Sequence, residues 1–133
     1  QHELSEVMGR TASVGHAQGN NVYTALDLYR YTTNGHPTTG APARALSPQS
    51  GNVAYFSIDK GATNLGGFNA SDGTAGDYGD WNATAGPDPF GFSYPGVVET
   101  MSGNDIVAMA AIGWNLTGAG VTHAAAAQTY ARV

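Results

Sequence analysis

The stretch His2-Glu3-Leu4-Ser5-Glu6-Val7-Met8-Gly9-Arg10 follows Gln1 and has the spacing of a helix. Leu4, Val7 and Met8 fall at i, i+3 and i+4, the spacing of one buried apolar stripe on a helix. Gly9 supplies a C-terminal stop. His2 stands in the first turn, where helical N–H groups lack partners, and no capping residue precedes it; the helix is therefore expected to begin before Gln1. Outward from this helix, residues 11–21 are small and polar, a loop. Residues 22–32, VYTALDLYRYT, read either as a strand or as a short helix leading into an extended segment. Residues 34–51 carry Pro37, Pro42 and Pro48 and form a turn-rich excursion. VAYFSID at 53–59 is the clearest strand. Residues 66–91 are loop-dominated, and such length without periodicity points to a functional or ion-stabilised loop. Ser102 is an N-cap, with Asp105 in the first turn of a second helix. Ile106, Met109, Ala110 and Ile112 are its expected buried stripe, and Gly113 its stop. The fold class expected is α+β: two main helices, a few short strands and much loop. One domain covers 1–117, and an Ala-rich tail covers 118–133.

Composition narrows the function. The 133 residues hold 41% apolar residues and only 11% charged ones, with 19 glycines. That is enough for a core, under a neutral polar surface. Five basic against ten acidic residues leave a net charge of −5, and the bases are scattered. No basic stripe exists to engage a phosphate backbone, so nucleic acid is excluded as a partner. The longest apolar stretch, near 106–112, is far too short to span a membrane. With no cysteine there is no disulfide, thiolate nucleophile or cysteine zinc site.

The first helix carries the chemistry. Residues four apart share a helix face, so His2 and Glu6 can hold one metal ion from adjacent turns. Glu3 stands beside them, in reach of a metal-bound water, as general base. This is the arrangement of HExxH zinc hydrolases with glutamate for the second histidine. Zinc accepts carboxylate oxygen, so the exchange keeps a site, though a more anionic one. The plain alternative is a surface His–Glu pair. A second candidate ion site, for calcium, lies in the loop of Asp72, Asp77, Asp80 and Asp88, which offers hard oxygen donors. Aspartate turns in a solvated loop are its alternative. Trp81, Phe90, Phe92 and Tyr94 are expected to bury that loop's base.

HELSEVMGR at 2–10, then LDLYRYT, AYFSID with GATNLGGFN, GDYGDW, and PGVVETMSGNDIVAMAAIGWNL in that order, resemble a bacterial family of secreted zincin metalloproteases. That family is metzincin-like, has an HExxE-type motif, and often carries a C-terminal surface-sorting tail. The resemblance runs from His2 to about Leu116. It implies the C-terminal portion of a zincin fold, a zinc-dependent peptidase acting on a peptide or protein substrate, and a secreted or cell-surface location. In the extended pattern HExxHxxGxxH, His2, Glu3 and Gly9 match. Glu6 replaces the second histidine, and Ala12 occupies the third ligand's position and cannot bind metal. Asp27, within a recurrent motif of the family, is the first candidate for the third ligand; an ion pair with Arg10 or Arg30 is its alternative. His16 and His36 are further candidates, with plain surface histidines as theirs. Met101 falls where metzincins place the methionine turn, or simply packs in the core.

Zincin folds place a substrate-aligning sheet ahead of this helix. Three arrangements are thus expected: docking on an upstream fragment of the same precursor, part of a longer protein, or a building block packed against copies of itself. The leading expectation is a metallopeptidase with His2, Glu6 and Asp27 as ligands and Glu3 as base. Its competitor is a non-catalytic extracellular structural or assembly protein on a degenerate protease scaffold. A calcium-stabilised surface-binding module is the third.

Overall fold

Tyr31 and Tyr55 face each other across the centre of an antiparallel sheet, with ring centroids 6.5 Å apart. In the computed structural model, which describes residues 1–14, 22–32, 40–47, 54–70, 76–91 and 95–115, four short strands build that sheet. They are β1 (Arg30–Thr32), β2 (Ala43–Arg44), β3 (Ala54–Phe56) and β4 (Gly66–Gly67), in the order β2-β1-β3-β4. The register pairs Arg30 with Phe56, Tyr31 with Tyr55 and Thr32 with Ala54. Period-two alternation then puts Phe56 on one face and the tyrosine pair on the other. A 3-10 helix, Leu26–Tyr29, runs directly into β1, so the 22–32 segment is a short helix leading into a strand.

Two α-helices flank this sheet in sequence, α1 (His2–Val7) and α2 (Gly103–Ala111). α2 begins in a capping box: Ser102 Oγ accepts from Asp105 N, and Asp105 Oδ2 accepts from Ser102 N at 2.7 Å. Both helices end in the same six-residue closure. Arg10 N donates to Ser5 O and Gly9 N to Glu6 O; likewise Trp114 N donates to Met109 O and Gly113 N to Ala110 O. These are Schellman motifs, and Gly9 at φ +101° provides the left-handed residue they need.

The core joins α2 to the sheet through Phe56, Phe68, Trp81, Phe90, Val107, Ala108 and Met109, with Leu26 and Ala54. Phe68 and Trp81 lie 5.1 Å apart by ring centroid, and Phe56 lies 5.7 Å from Trp81. Each fully buried phenylalanine contributes about 1.5–3 kcal/mol of burial free energy. Trp81 also donates its indole N–H to Asp105 Oδ1 at 2.7 Å, so the 76–91 segment is pinned to the start of α2. Phe92 and Tyr94, expected in that base, lie outside the described residues, as do His16, His36, Asp72 and the 118–133 tail. Among the described residues, no helix is long and apolar enough to cross a membrane.

α1 turns a face other than its most apolar one inward, while α2 buries Met109 of its expected stripe and packs Ile112 against the core. Leu4 and Val7, expected in the core, are 63% and 86% exposed, and Ser5 is the buried residue of α1. Met8, the third member of that stripe, packs against the core, and hydrogen bonds and ion pairs of Ser5, Arg10 and His2 orient the rest of this six-residue helix. In α2 the buried set is Asp105, Val107, Ala108 and Met109, and Ile106 is only half-buried. The capped Asp105, bonded to Trp81, sets that rotation.

Candidate metal centre

The closure at Gly9 folds Arg10 back beneath α1, where its side chain is 1% exposed. Its Nε donates to Ser5 Oγ at 2.7 Å and its Nη1 to Gly79 O at 3.0 Å. The guanidinium lies over the Phe90 ring, 4.6 Å from its centroid. Ser5 Oγ in turn donates to His2 O at 2.6 Å. Arg10 therefore joins α1 to the 76–91 segment.

That segment is fixed by backbone bonds before any side chain acts. Asn69 N donates to Asp80 O at 2.7 Å, Trp81 N to Phe90 O at 2.8 Å, and Asn82 N to Gly67 O at 2.9 Å. Within it, Asp77 N donates to Asp80 Oδ2 at 2.9 Å and Gly79 N to Asp77 Oδ1 at 2.6 Å. Asp80 Oδ1 is left facing α1. Asp88 Oδ1 accepts from Phe90 N at 2.8 Å, and the resulting aspartate turn presents the Pro89 carbonyl to His2.

His2 Nδ1 is 3.0 Å from Pro89 O. A carbonyl only accepts, so Nδ1 carries the proton, and in the neutral ring Nε2 keeps a free lone pair. Nε2 lies 3.4 Å from Glu6 Oε1 and 3.4 Å from Asp80 Oδ1. With zinc bonds of about 2.0–2.2 Å, tetrahedral geometry puts neighbouring ligand atoms about 3.4 Å apart. Glu6 Oε1 and Asp80 Oδ1 thus each stand near ligand spacing from His2 Nε2. The exposed Glu3 offers a carboxylate oxygen within 4.8 Å of the ligand atoms of His2 and Glu6, and Glu6, Asp77 and Asp80 meet the same limit among themselves.

The cluster is over-supplied with negative charge. Against Glu3, Glu6, Asp77 and Asp80 stand Arg10, 3.2 Å from Asp80 Oδ1 and 3.5 Å from Glu6 Oε1, and Arg30, whose charge acts on Asp77. Burial pushes the Glu6 carboxyl above its ordinary value, and the Asp77 carboxylate adds to this against the opposing pull of Arg10 and His2. Burial likewise raises Asp80, with Asp77 contributing and its backbone N–H, His2 and Arg10 opposing. A cation in the cluster would oppose both shifts, because an opposite charge nearby favours the ionised carboxylate. The residues present therefore fit a divalent metal ion: one imidazole with a fixed tautomer, two carboxylates at ligand spacing, and surplus negative charge.

Of the ligands expected from sequence, His2 and Glu6 are brought together and Asp27 is not. Asp27 is fully buried, and its Oδ2 accepts from Ser13 N at 2.9 Å and Thr24 N at 2.8 Å. It ties residue 13 to the turn just before the 3-10 helix, and it stands in neither carboxylate grouping. The Ser13 and Thr24 amides and the Thr24 hydroxyl are its hydrogen-bond partners, and its charge acts on Arg30 without a direct ion pair. Asp77 and Asp80, read from sequence as part of a separate calcium loop, take the place beside His2 and Glu6. Asp88 shapes the turn behind His2. Met101 is 42% exposed and lines an apolar cleft of about 290 Å³ with Leu4, Met8 and Trp114. The spacing of GDYGDW marked the acidic loop; no residue-type signal marked the Pro89 carbonyl or the inward turn of Arg10. No protein-family model, curated protein or solved structure matches the chain.

Proposed function

We propose that this cluster is the metal centre of a secreted bacterial metallopeptidase-like hydrolase on a zincin-type scaffold, with zinc as its ion and a peptide bond as its target. The observation that carries the reading is the placement of His2, whose Nδ1 faces Pro89 O at 3.0 Å and whose Nε2 faces Glu6 Oε1 and Asp80 Oδ1 at 3.4 Å. The order of motifs from HELSEVMGR to GWNL, which resembles secreted zincin proteases, supports the reaction class and the extracellular setting. Bound there, zinc supplies Lewis acidity that polarises a carbonyl and acidifies water. His2 and Glu6 hold the ion from adjacent turns of α1. Glu3, exposed at the edge of the cluster, accepts the proton of the attacking water and passes it to the leaving amine. Arg10 holds the carboxylates in place from the buried side.

Metal analysis after zinc loading tests this. About one zinc per chain is expected, lost in His2→Ala and Glu6→Ala, with casein hydrolysis lost in Glu3→Gln while its zinc remains. A folded wild-type chain that takes up no zinc overturns the reading. A second reading, a non-catalytic extracellular structural protein, is favoured by Arg10, which already bridges Glu6 and Asp80. It requires that zinc neither binds nor raises the melting temperature. A melting temperature raised by calcium and not by zinc assigns the cluster to a structural cation.

A further inference from the structure

We propose that Asp80 is the third protein ligand of this centre, so that the metal clamps the 76–91 segment onto α1. The inference rests on the reading of His2 and Glu6 as ligands and supplies what that pair lacks. Two ligands one helical turn apart hold a dication weakly; catalytic zinc sites use three and leave a fourth position open. Asp80 Oδ1 stands as close to His2 Nε2 as Glu6 Oε1 does, 3.4 Å in each case. Its other oxygen is engaged by the Asp77 N–H, which fixes the orientation of the carboxylate. Arg10 Nη1, 3.2 Å behind Oδ1, is an outer-shell partner of the kind that holds ligating carboxylates.

Arg10 gives an independent pointer. Its Nη2 is buried and has no hydrogen-bond partner, although it is turned towards Glu6 Oε1 at 3.5 Å. A buried donor without an acceptor is costly. An ion between Glu6 and Asp80 draws an oxygen, from Glu6 or from a bound water, into reach of that N–H. One neutral imidazole and two carboxylates balance a dication, and Glu3 stays free to act as base.

Amide hydrogen exchange on the wild-type protein, with and without zinc, tests the clamp. Protection is expected in α1 and equally at residues 77–80, together with Asn69, whose N–H is bonded to Asp80 O. Zinc affinity, read by competition with a chromophoric chelator, is expected to fall in Asp80→Asn by more than the roughly 10–100-fold typical of losing an outer-shell partner. Asp59→Asn, in the turn after β3, leaves it unchanged. Zinc bound through His2 with protection confined to α1, or with unaltered affinity in a folded Asp80→Asn, overturns Asp80 while the site itself stands. No zinc bound by the wild type overturns the site and this inference together. Should Asp80→Asn fail to fold, exchange on the wild type still decides.

Discussion

Arg10 Nη1 lies 3.2 Å from Asp80 Oδ1, and the two side chains are 1% and 2% exposed. One comes from the closure of the first helix, the other from a loop far along the chain. Their pairing helps to seat α1 on the rest of the molecule, beside the His2–Pro89 hydrogen bond, the Trp114 indole bond to Met8 O and the packing of Met8, while Leu4 and Val7 contribute little burial. A buried ion pair is not in itself strongly stabilising, because desolvation offsets attraction, but removing one partner strands the other.

Arg10→Met is accordingly expected to destabilise the fold by about 3–5 kcal/mol at neutral pH. Adding Asp80→Asn should restore part of the loss, because the stranded carboxylate is gone. Urea denaturation of the two single variants and the double variant measures this as a cycle. Strict additivity of the two losses would show that the pair does not act as one.

Asp105 should make stability depend on pH. Burial pushes its carboxyl from an ordinary 3.8 up to about 6, in spite of the hydrogen bonds from Trp81 and Ser102 that favour the charged form. The folded chain then binds more protons than the unfolded one between those values, so stability rises as pH falls from 7 towards 4. At most about 3 kcal/mol is involved, from the shift of roughly two units. Asp105→Asn should lack this acid gain. Comparing denaturation midpoints of both proteins at pH 4.5 and 7.5 isolates the contribution, and Trp81 fluorescence should report a transition near pH 6. Equal pH slopes in the two proteins would refute the assignment.

Gly61→Ala should be poorly tolerated. Gly61 has φ +90°, and a Cβ there would lie 2.6 Å from Pro42 Cβ and 2.7 Å from Tyr31 Cδ1. Backbone strain and overpacking act together, for a loss of about 2 kcal/mol or more. The Tyr55 hydroxyl, which donates to Gly61 O at 2.6 Å, would also be displaced. A lower melting temperature with altered near-ultraviolet circular dichroism from the tyrosines is the expected outcome.

Ser102→Ala removes the acceptor for the Asp105 amide and should cost about 1 kcal/mol. Ser102→Thr keeps that acceptor and should recover most of the loss in thermal unfolding.

The features legible in residue order are local ones. The Ser102–Asp105 cap, the stop at Gly9, the strand within 53–59 and the shared face of His2 and Glu6 depend on residues within a few positions of one another. Helical spacing and side-chain chemistry suffice to read such features. Which partners meet that face depends on long-range contacts. Asp80 reaches His2 because the Asn69 amide, the Phe90 carbonyl and Gly67 hold its segment by backbone bonds, and these leave no mark in residue type. The same holds for the Pro89 carbonyl that sets the tautomer of His2. Asp27 carries the right functional group, but nearby amides of Ser13 and Thr24 claim it. The rotation of α1, with its leucine and valine outward, followed from a buried arginine whose hydrogen bonds outweighed a short apolar stripe.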